Sequence, residues 1–461
     1  MKKLTLIMVF VLLVAGLIML GTRSTALAQD SQPALTDIEA LGKALFFDTN
    51  LSVNGNQSCA TCHGPGVGYT GPDSQVNAST VVYPGSVQNL FGNRKPPASA
   101  YAGDSPMLHK DTTGAWLGGM FWDGRATGDT LGDPLAEQAQ GPFLNPLEQS
   151  IPDAEFLCDL VAGSAYAGLF EGVWGAGTLD CETDVAGVYE KIGRSIAAYE
   201  RSVEVNPFSS KFDLFWDNAV AAGKDVTKIK CGTGGGGMGG GGMGGGGMGG
   251  GGGMGCPSSG TDPNRWSTFR NLGLSDNELA GLAMFNTQAG CSSCHSLQPG
   301  PNGRPLFTNF RYANLGIPKN PDNPFYDNLE WNPDGENWVD YGLGGYLQSA
   351  GSLPEEYEPE MGKQKVPTLR NVALRPNEDL VKAYSHNGYF KSLYDIVHFY
   401  HWRAMMDNGC GGMGGGCGGG MQDMFPPPEV DQNRTPLTMF PMMHIDNIVT
   451  FLKTLSDGYQ P

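Results

Sequence analysis

The chain has 461 residues, with 29 basic against 47 acidic side chains, a net charge of −18, ten cysteines and 69 glycines; 40% of it is hydrophobic and only 16% is charged. That is too long for one small domain and too apolar for a disordered one, and the acidic balance argues against a nucleic-acid binder, whose partner is itself a polyanion. Such a surface suits a basic protein partner. The glycine excess is local, with 19 in residues 232–255 and nine in 409–420, so the remainder has an ordinary globular composition.

In chain order, the first segment reads as a signal peptide over residues 1–28. Lys2 and Lys3 open it, an uncharged apolar run extends from Leu4 to Leu20, and Ala26-Leu27-Ala28 supplies the small-x-small cleavage pattern. Because the run is long, an uncleaved anchor is the competing reading. No later stretch is apolar enough to span a bilayer, so the mature chain from Gln29 is expected to have no membrane span and to reside in the periplasm or on the outer surface.

Leu35 to Phe46 aligns with Leu274 to Phe285, 239 residues further on, and each copy opens on a capping box, Thr36 with Glu39 and Ser275 with Glu278. Apolar residues at helical spacing follow in both. Shortly after each copy comes Cys-x-x-Cys-His: Cys59, Cys62 and His63, then Cys291, Cys294 and His295. This is the attachment signal for haem c, with the thiols adding to the vinyl groups and the adjacent histidine placed as proximal iron ligand. A redox dithiol or zinc half-site explains one copy; two copies behind a leader favour haem. An exported chain meets an oxidising compartment, so the other six cysteines are read as sequence-local disulfides, Cys158 with Cys181, Cys231 with Cys256 and Cys410 with Cys417.

The expected fold is mainly α, with two cytochrome c-like helical haem domains, long loops and little β. The boundaries are 29–230 for the N-terminal domain, 231–260 for a Gly/Met-rich insert, and 261–461 for the C-terminal domain with a second Gly-rich insert at 409–420. Residues 445–455 carry apolar side chains at Ile448, Val449, Phe451, Leu452 and Leu455, the pattern of an amphipathic helix closing on a haem.

These features, together with Leu45-Phe46-Phe47-Asp48, Phe121-Trp122-Asp123-Gly124-Arg125-Ala126, Glu137-Gln138-Ala139, Asn145-Pro146-Leu147-Glu148 and Val366-Pro367-Thr368-Leu369-Arg370-Asn371-Val372, make a chain that resembles the bacterial di-haem cytochrome c peroxidases and their MauG-like relatives over residues 34–460. The resemblance implies a peroxide-reactive N-terminal haem and an electron-exchanging C-terminal haem. It places the proton-transferring carboxylate on Glu148, its companion amide on Gln138, and the tryptophan between the haems on Trp122; a carboxylate in a partly apolar pocket can take a proton from peroxide and return it to the leaving oxygen.

The resemblance also puts the distal ligand of the second haem on Tyr400, where the MauG-like branch has tyrosine and the electron-accepting peroxidases have methionine. Periodicity places Leu393, Ile396, Val397 and Tyr400 on one helical face, with His398 and His401 flanking as rival ligands. An anionic phenolate favours ferric and higher states, so Tyr400 suggests a haem that stores oxidising equivalents. The family's inter-haem calcium site uses an asparagine where this chain has Lys95, so an ammonium replaces the cation or backbone carbonyls still hold it. Members of the family that need reductive activation carry a histidine in the loop upstream of Asn93-Arg94, and residues 64–94 here contain none, so the resemblance implies an open first haem; His109, the one nearby candidate for a ligand or pocket residue, reads rather as a surface residue. The connection between Ala126 and Glu137 is longer than the family's.

The leading reading is a MauG-like di-haem enzyme using hydrogen peroxide to oxidise a protein or small substrate. Alternatives are a cytochrome c peroxidase drawing electrons from a small cytochrome c or cupredoxin, a non-enzymatic di-haem carrier, and a copper-binding surface protein using Met238, Met243, Met248 and Met254, whose exposed sulfurs would equally serve as an oxidant sink. A homodimer is compatible with the family.

Overall fold

The helix that opens each repeat crosses the last helix of its own half at backbone contact. In the computed structural model, which describes residues 33–231, 267–407 and 424–461, α1 is Asp37–Phe47, α2 Pro134–Leu144, α3 Ala154–Ala162, α4 Ala167–Trp174, α5 Val185–Arg201, α6 Lys211–Ala221, α7 Asp276–Asn286, α8 Gly342–Ser349, α9 Leu393–Met405 and α10 Ile445–Lys453. The repeat thus survives in three dimensions, since α1 and α7 have equal length and keep the offset of the sequence alignment. Glu39 accepts the Thr36 amide at 2.7 Å, and Glu278 accepts the Ser275 amide at 2.7 Å. Each carboxylate occupies the positive end of its helix dipole.

Helix α1 packs on α5, and α7 packs on α10. Glycine makes both crossings. A Cβ at Gly42 would lie 1.8 Å from the Ser195 carbonyl oxygen, and one at Gly281 would lie 2.0 Å from that of Asn447. One turn further along the partner helices, Tyr199 and Phe451 stand at equivalent positions, with Cβ atoms 2.9 and 2.7 Å from the same imagined methyl groups. Contact this close lets the flanking leucines and phenylalanines interdigitate at crystal-like density.

Two hydrophobic clusters result. One joins Leu41, Leu45 and Phe46 of α1 to Phe143, Leu157, Val161, Phe170, Ile192, Ile196 and Tyr199. The other joins Leu279, Leu282 and Phe285 of α7 to Phe307, Ile448, Phe451 and Leu452, and it also takes in Phe212, Phe215, Trp216, Val226 and Ile229. Helix α6 therefore precedes the long glycine segment in sequence but packs with α7 and α10, which lie beyond that segment. The described residues from Leu35 onward form one compact unit.

Strand structure among the described residues is confined to two antiparallel pairs, His109–Lys110 (β1) with Trp116–Leu117 (β2) and Tyr312–Ala313 (β3) with Gln364–Lys365 (β4). The chain is mainly helical with small sheets. Cys158 and Cys181 form a disulfide that ties α3 to the segment entering α5. Cys231 is also disulfide-bonded, while Cys256, Cys410, Cys417, the leader over residues 1–28 and the four methionines of the first insert lie outside the described residues. Among the described residues no single helix is long and apolar enough to cross a membrane.

Gly42→Ala and Gly281→Ala are each expected to lower stability by at least about 1–3 kcal/mol, the usual cost of overpacking, because the obstacle is backbone rather than a movable side chain. A drop in the denaturant midpoint of the haem-loaded protein is the readout.

Candidate active site

Each Cys-x-x-Cys-His segment forms a single helical turn, Cys59–Cys62 as α-helix and Cys291–Ser293 as 3-10 helix. The histidine leaves that turn with its Nδ1 engaged. His63 Nδ1 lies 3.1 Å from the Tyr69 carbonyl oxygen and 3.1 Å from Ser99 Oγ, and His295 Nδ1 lies 3.0 Å from the Phe307 carbonyl oxygen. A proton on Nδ1 leaves Nε2 with its lone pair, the form that binds iron. Burial, helped at His63 by the charge of Lys95, pulls the two imidazoles down to about 4, so both stay neutral. The two carbonyls belong to residues in the left-handed region, Tyr69 at φ 56° and Phe307 at φ 54°. Backbone held in that region aims the carbonyl at the imidazole, and the surrounding packing sustains its cost. No pattern in the sequence marks either residue for this task.

All four motif cysteines are outside disulfides and half-buried. Burial, reinforced by Glu200 and Glu148, pushes the Cys59 thiol up to about 12, and burial does the same to Cys291. Burial first and Glu148 second raise Cys62 further still. Glu148 is thus close enough to the first motif for its charge to act on both thiols. Its own carboxyl is raised by burial against the opposing pull of Arg125 and Asn145. Its backbone is held in place too, since the Ser86 amide donates to the Glu148 carbonyl at 2.6 Å, and a Cβ on Gly85 would sit 2.5 Å from the Leu147 carbonyl oxygen.

Gln138 lies half-buried on α2, three residues before Gly141, whose bare Cα faces the Phe121 ring. Its neighbour Glu137 secures the long connection from Ala126 by accepting the amides of Gly128, Thr130 and Leu131 at 2.7, 2.7 and 2.8 Å.

The second motif opens onto a cavity lined by Cys291, Cys294, His295, Val397 and Tyr400, and closed by Ile448 and Leu452 of α10. Of the aromatic and imidazole side chains near the end of α9, Tyr400 lines this cavity and His398 and His401 do not. His398 packs beside Phe425, and His401 Nδ1 is 2.6 Å from the Phe440 carbonyl oxygen. Burial first, then the charges of Cys294 and Cys291, raises the Tyr400 phenol. Thioether formation would remove the cysteine contributions.

Trp122 borders the same cavity, donates its indole N–H to the Lys95 carbonyl at 2.8 Å and meets the His386 ring edge-on at 6.4 Å. The Lys95 ammonium donates to Thr70 Oγ1 at 2.8 Å and to the Pro96 carbonyl at 2.9 Å. Beside it Arg94 grips Asp340 through Nε and Nη2, both at 2.7 Å, and reaches Asp123 through Nη1 at 2.5 Å. Burial would raise Asp340, but Arg94 outweighs it and holds the carboxyl well below the usual range. No local spacing signals this clamp, because Arg94 and Asp340 lie 246 residues apart. His109 is exposed, on β1.

A family model described as di-haem cytochrome c peroxidase matches residues 36–221. The chain is 32% identical over 376 residues to the methylamine utilization protein MauG of Paracoccus denitrificans, covering 81% of this chain and 76% of that one. It is 23% identical over 384 residues to a cytochrome-c peroxidase of Denitromonas iodatirespirans, covering 80% and 73%. Among solved structures, the diheme peroxidase BthA of Burkholderia thailandensis superposes with a TM-score of 0.63 at 27% identity, covering 91% of this chain and 86% of that one. A MauG-like protein associated with microbial copper homeostasis shares the fold at a TM-score of 0.53 and 17% identity, covering 92% and 91%.

The chain belongs to the family of di-haem cytochrome c peroxidases and MauG, peroxidases with two c-type haems. Its residues fit that cofactor. Four thiols stand in the two attachment motifs, and around the second cavity His386 Nε2, both polar atoms of the Gln364 amide and Arg370 Nη2 are buried without a hydrogen-bond partner. Of these, the Gln364 amide N–H, Arg370 Nη2 and a protonated His386 Nε2 are donors that suit the carboxylates of a haem.

Asp340→Ala leaves Arg94 buried with Asp123 and is expected to cost about 3–5 kcal/mol, as for other broken buried pairs. Because the Asp340 carboxyl is depressed, the contribution is present above the ordinary carboxylate range and fades as pH falls through the folded value. Denaturant titrations of both proteins should converge at acid pH.

Proposed function

We propose that hydrogen peroxide reacts at the haem held by Cys59, Cys62 and His63, and that oxidising equivalents stored with the haem held by Cys291, Cys294 and His295 are used on a protein or small substrate, as in the MauG-like branch. The observation that carries this reading is Tyr400, the residue of its helix end that faces the second cavity. Haem iron supplies the redox chemistry; the side chains bind, orient and move protons. Glu148 is the group that takes a proton from peroxide and returns it to the departing oxygen, with Gln138 as its companion on α2. The raised carboxyl favours this, because moving its proton affinity toward the working pH makes the carboxylate a better acceptor while its protonated form can still donate. Trp122 is the aromatic relay between the two sites, fixed by its bond to the Lys95 carbonyl.

Under this reading the two hydrophobic clusters are the two haem domains, with α6 belonging to the second. The Lys95 ammonium, held by Thr70 and Pro96 oxygens, takes the place of the inter-haem calcium. The export signal and the family support a periplasmic location, where the net negative charge would draw a basic redox protein such as a cytochrome c or cupredoxin.

Glu148→Gln should slow reaction with peroxide by about 10²–10⁴-fold, the usual contribution of positioned proton transfer, with both haems retained. In the native enzyme the rate should fall at acid pH, through a midpoint above the ordinary carboxylate value. Stopped-flow spectra across pH measure both. Tyr400→Phe should convert the ferric spectrum of the second haem from a low-spin to a high-spin form; an unchanged spectrum, carrying a histidine or methionine signature, overturns the assignment of Tyr400 as ligand.

A further inference from the structure

Beside the first attachment motif lies a pair of phenols that the proposed peroxide chemistry does not use. Tyr69, whose carbonyl holds the His63 imidazole, places its hydroxyl 3.1 Å from that of Tyr199. Tyr199 in turn donates to Glu204 Oε1 at 3.2 Å, and Lys43 Nζ bridges both carboxylate oxygens of Glu204, at 2.6 Å from Oε1 and 2.8 Å from Oε2. The two rings are buried, at 6% and 0% exposure. Glu204 and Lys43 are partly open to solvent, and so is Phe47, whose ring meets Tyr199 edge-on at 6.1 Å. The series runs from the proximal ligand of the first haem to the surface, and every hydroxyl in it has an acceptor nearer the solvent.

We propose that Tyr69 and Tyr199 form a redox-active pair that passes oxidising equivalents from the first haem site to the surface beside Phe47, Lys43 and Glu204, where a small phenolic donor is oxidised by one electron. The inference rests on peroxide reacting at the first haem. Hydrogen peroxide is the oxidant and takes two electrons and two protons to give two waters. In each event Tyr69 gives up one electron. Tyr199 replaces that electron and gives its phenol proton to the Glu204 carboxylate, so Tyr69 is restored and the radical rests on Tyr199, nearer the surface. A phenolic donor at the surface then returns one electron and one proton to Tyr199 and leaves as a phenoxyl radical, while Glu204 releases its proton to solvent; two such events supply the two electrons and, through solvent, the two protons that one peroxide consumes. Buried phenols serve this purpose because an oxidised phenol is a strong acid, and it loses its electron readily only where a hydrogen-bonded acceptor takes the proton. A pair with a purely structural role needs no ionisable acceptor at its outer end.

The test is freeze-quench EPR of the di-haem protein mixed with hydrogen peroxide in the absence of donor, combined with spin-trap labelling and peptide mass spectrometry. A tyrosyl radical is expected in the native protein, with the trap on the Tyr199 peptide. The Tyr69→Phe/Tyr199→Phe protein should lose that signal. Glu204→Gln, a surface change that leaves the packing intact, should remove the trap from the Tyr199 peptide. If the haem spectrum responds to peroxide but the radical is unchanged in the Phe variants, or the trap stays on Tyr199 in Glu204→Gln, the relay is overturned and the peroxide reading stands. If the haem spectrum of the native protein does not respond to peroxide, the peroxide reading fails and the relay fails with it.

Discussion

Two helix crossings without side chains between them organise this molecule. At Gly42 and at Gly281 the backbone of one helix rests on a carbonyl of another, too near for even a methyl group. Everything that defines a haem site hangs from such a crossing. The attachment turn comes after the first helix of each pair, and in the second half the partner helix sends Ile448 and Leu452 to the cavity wall. A cytochrome core is incomplete without its haem, so the protein part must hold its shape through contacts the cofactor does not supply. Backbone contact is the stiffest available.

The second constraint is electrostatic. The loops that face each other across the two sites carry lysines and arginines in nearly dry surroundings. Each is matched to oxygens rather than left to solvent: Lys382 to the carbonyls of Val67, Asn371 and Leu374, Lys95 to Thr70 and Pro96, Arg94 to Asp340 and Asp123, and Arg370 to Asp213. Breaking such a match costs more than making it gains. These contacts therefore fix register across long sequence separations instead of adding much net stability. Trp122 inherits its position from them through the Lys95 carbonyl.

The same logic separates residues that hold the iron ligands from residues that do chemistry. Tyr69 and Phe307 contribute carbonyls from strained backbone, and their side chains have other surroundings. At Tyr69 one residue does both, orienting His63 with its main chain and bonding Tyr199 with its phenol. Orientation of a ligand by its outer partner is a common way for a protein to tune a metal without touching it.

Covalent chemistry and local helix signals were legible in the sequence. The two Cys-x-x-Cys-His motifs, the repeated capping boxes, the helical stripe of residues 393–400 and the amphipathic closing helix all depend on neighbours a few residues apart, and spacing alone reveals them. The pairing of Cys158 with Cys181 belongs here too, since it closes a local loop. Long-range geometry was not legible. The repeat places Gly42 and Gly281 inside helices, but nothing in the sequence says which backbone they meet, marks Tyr69 and Phe307 as supplying a carbonyl to an imidazole, or joins Arg94 to Asp340. The direction in which Tyr400, His398 and His401 point was decided only when α9 was set against Phe425 on one side and the second cavity on the other. A sequence records which chemistry a chain can carry, because that depends on residue type and local spacing. Which atoms meet depends on how distant backbones pack, and only the tertiary structure determines that.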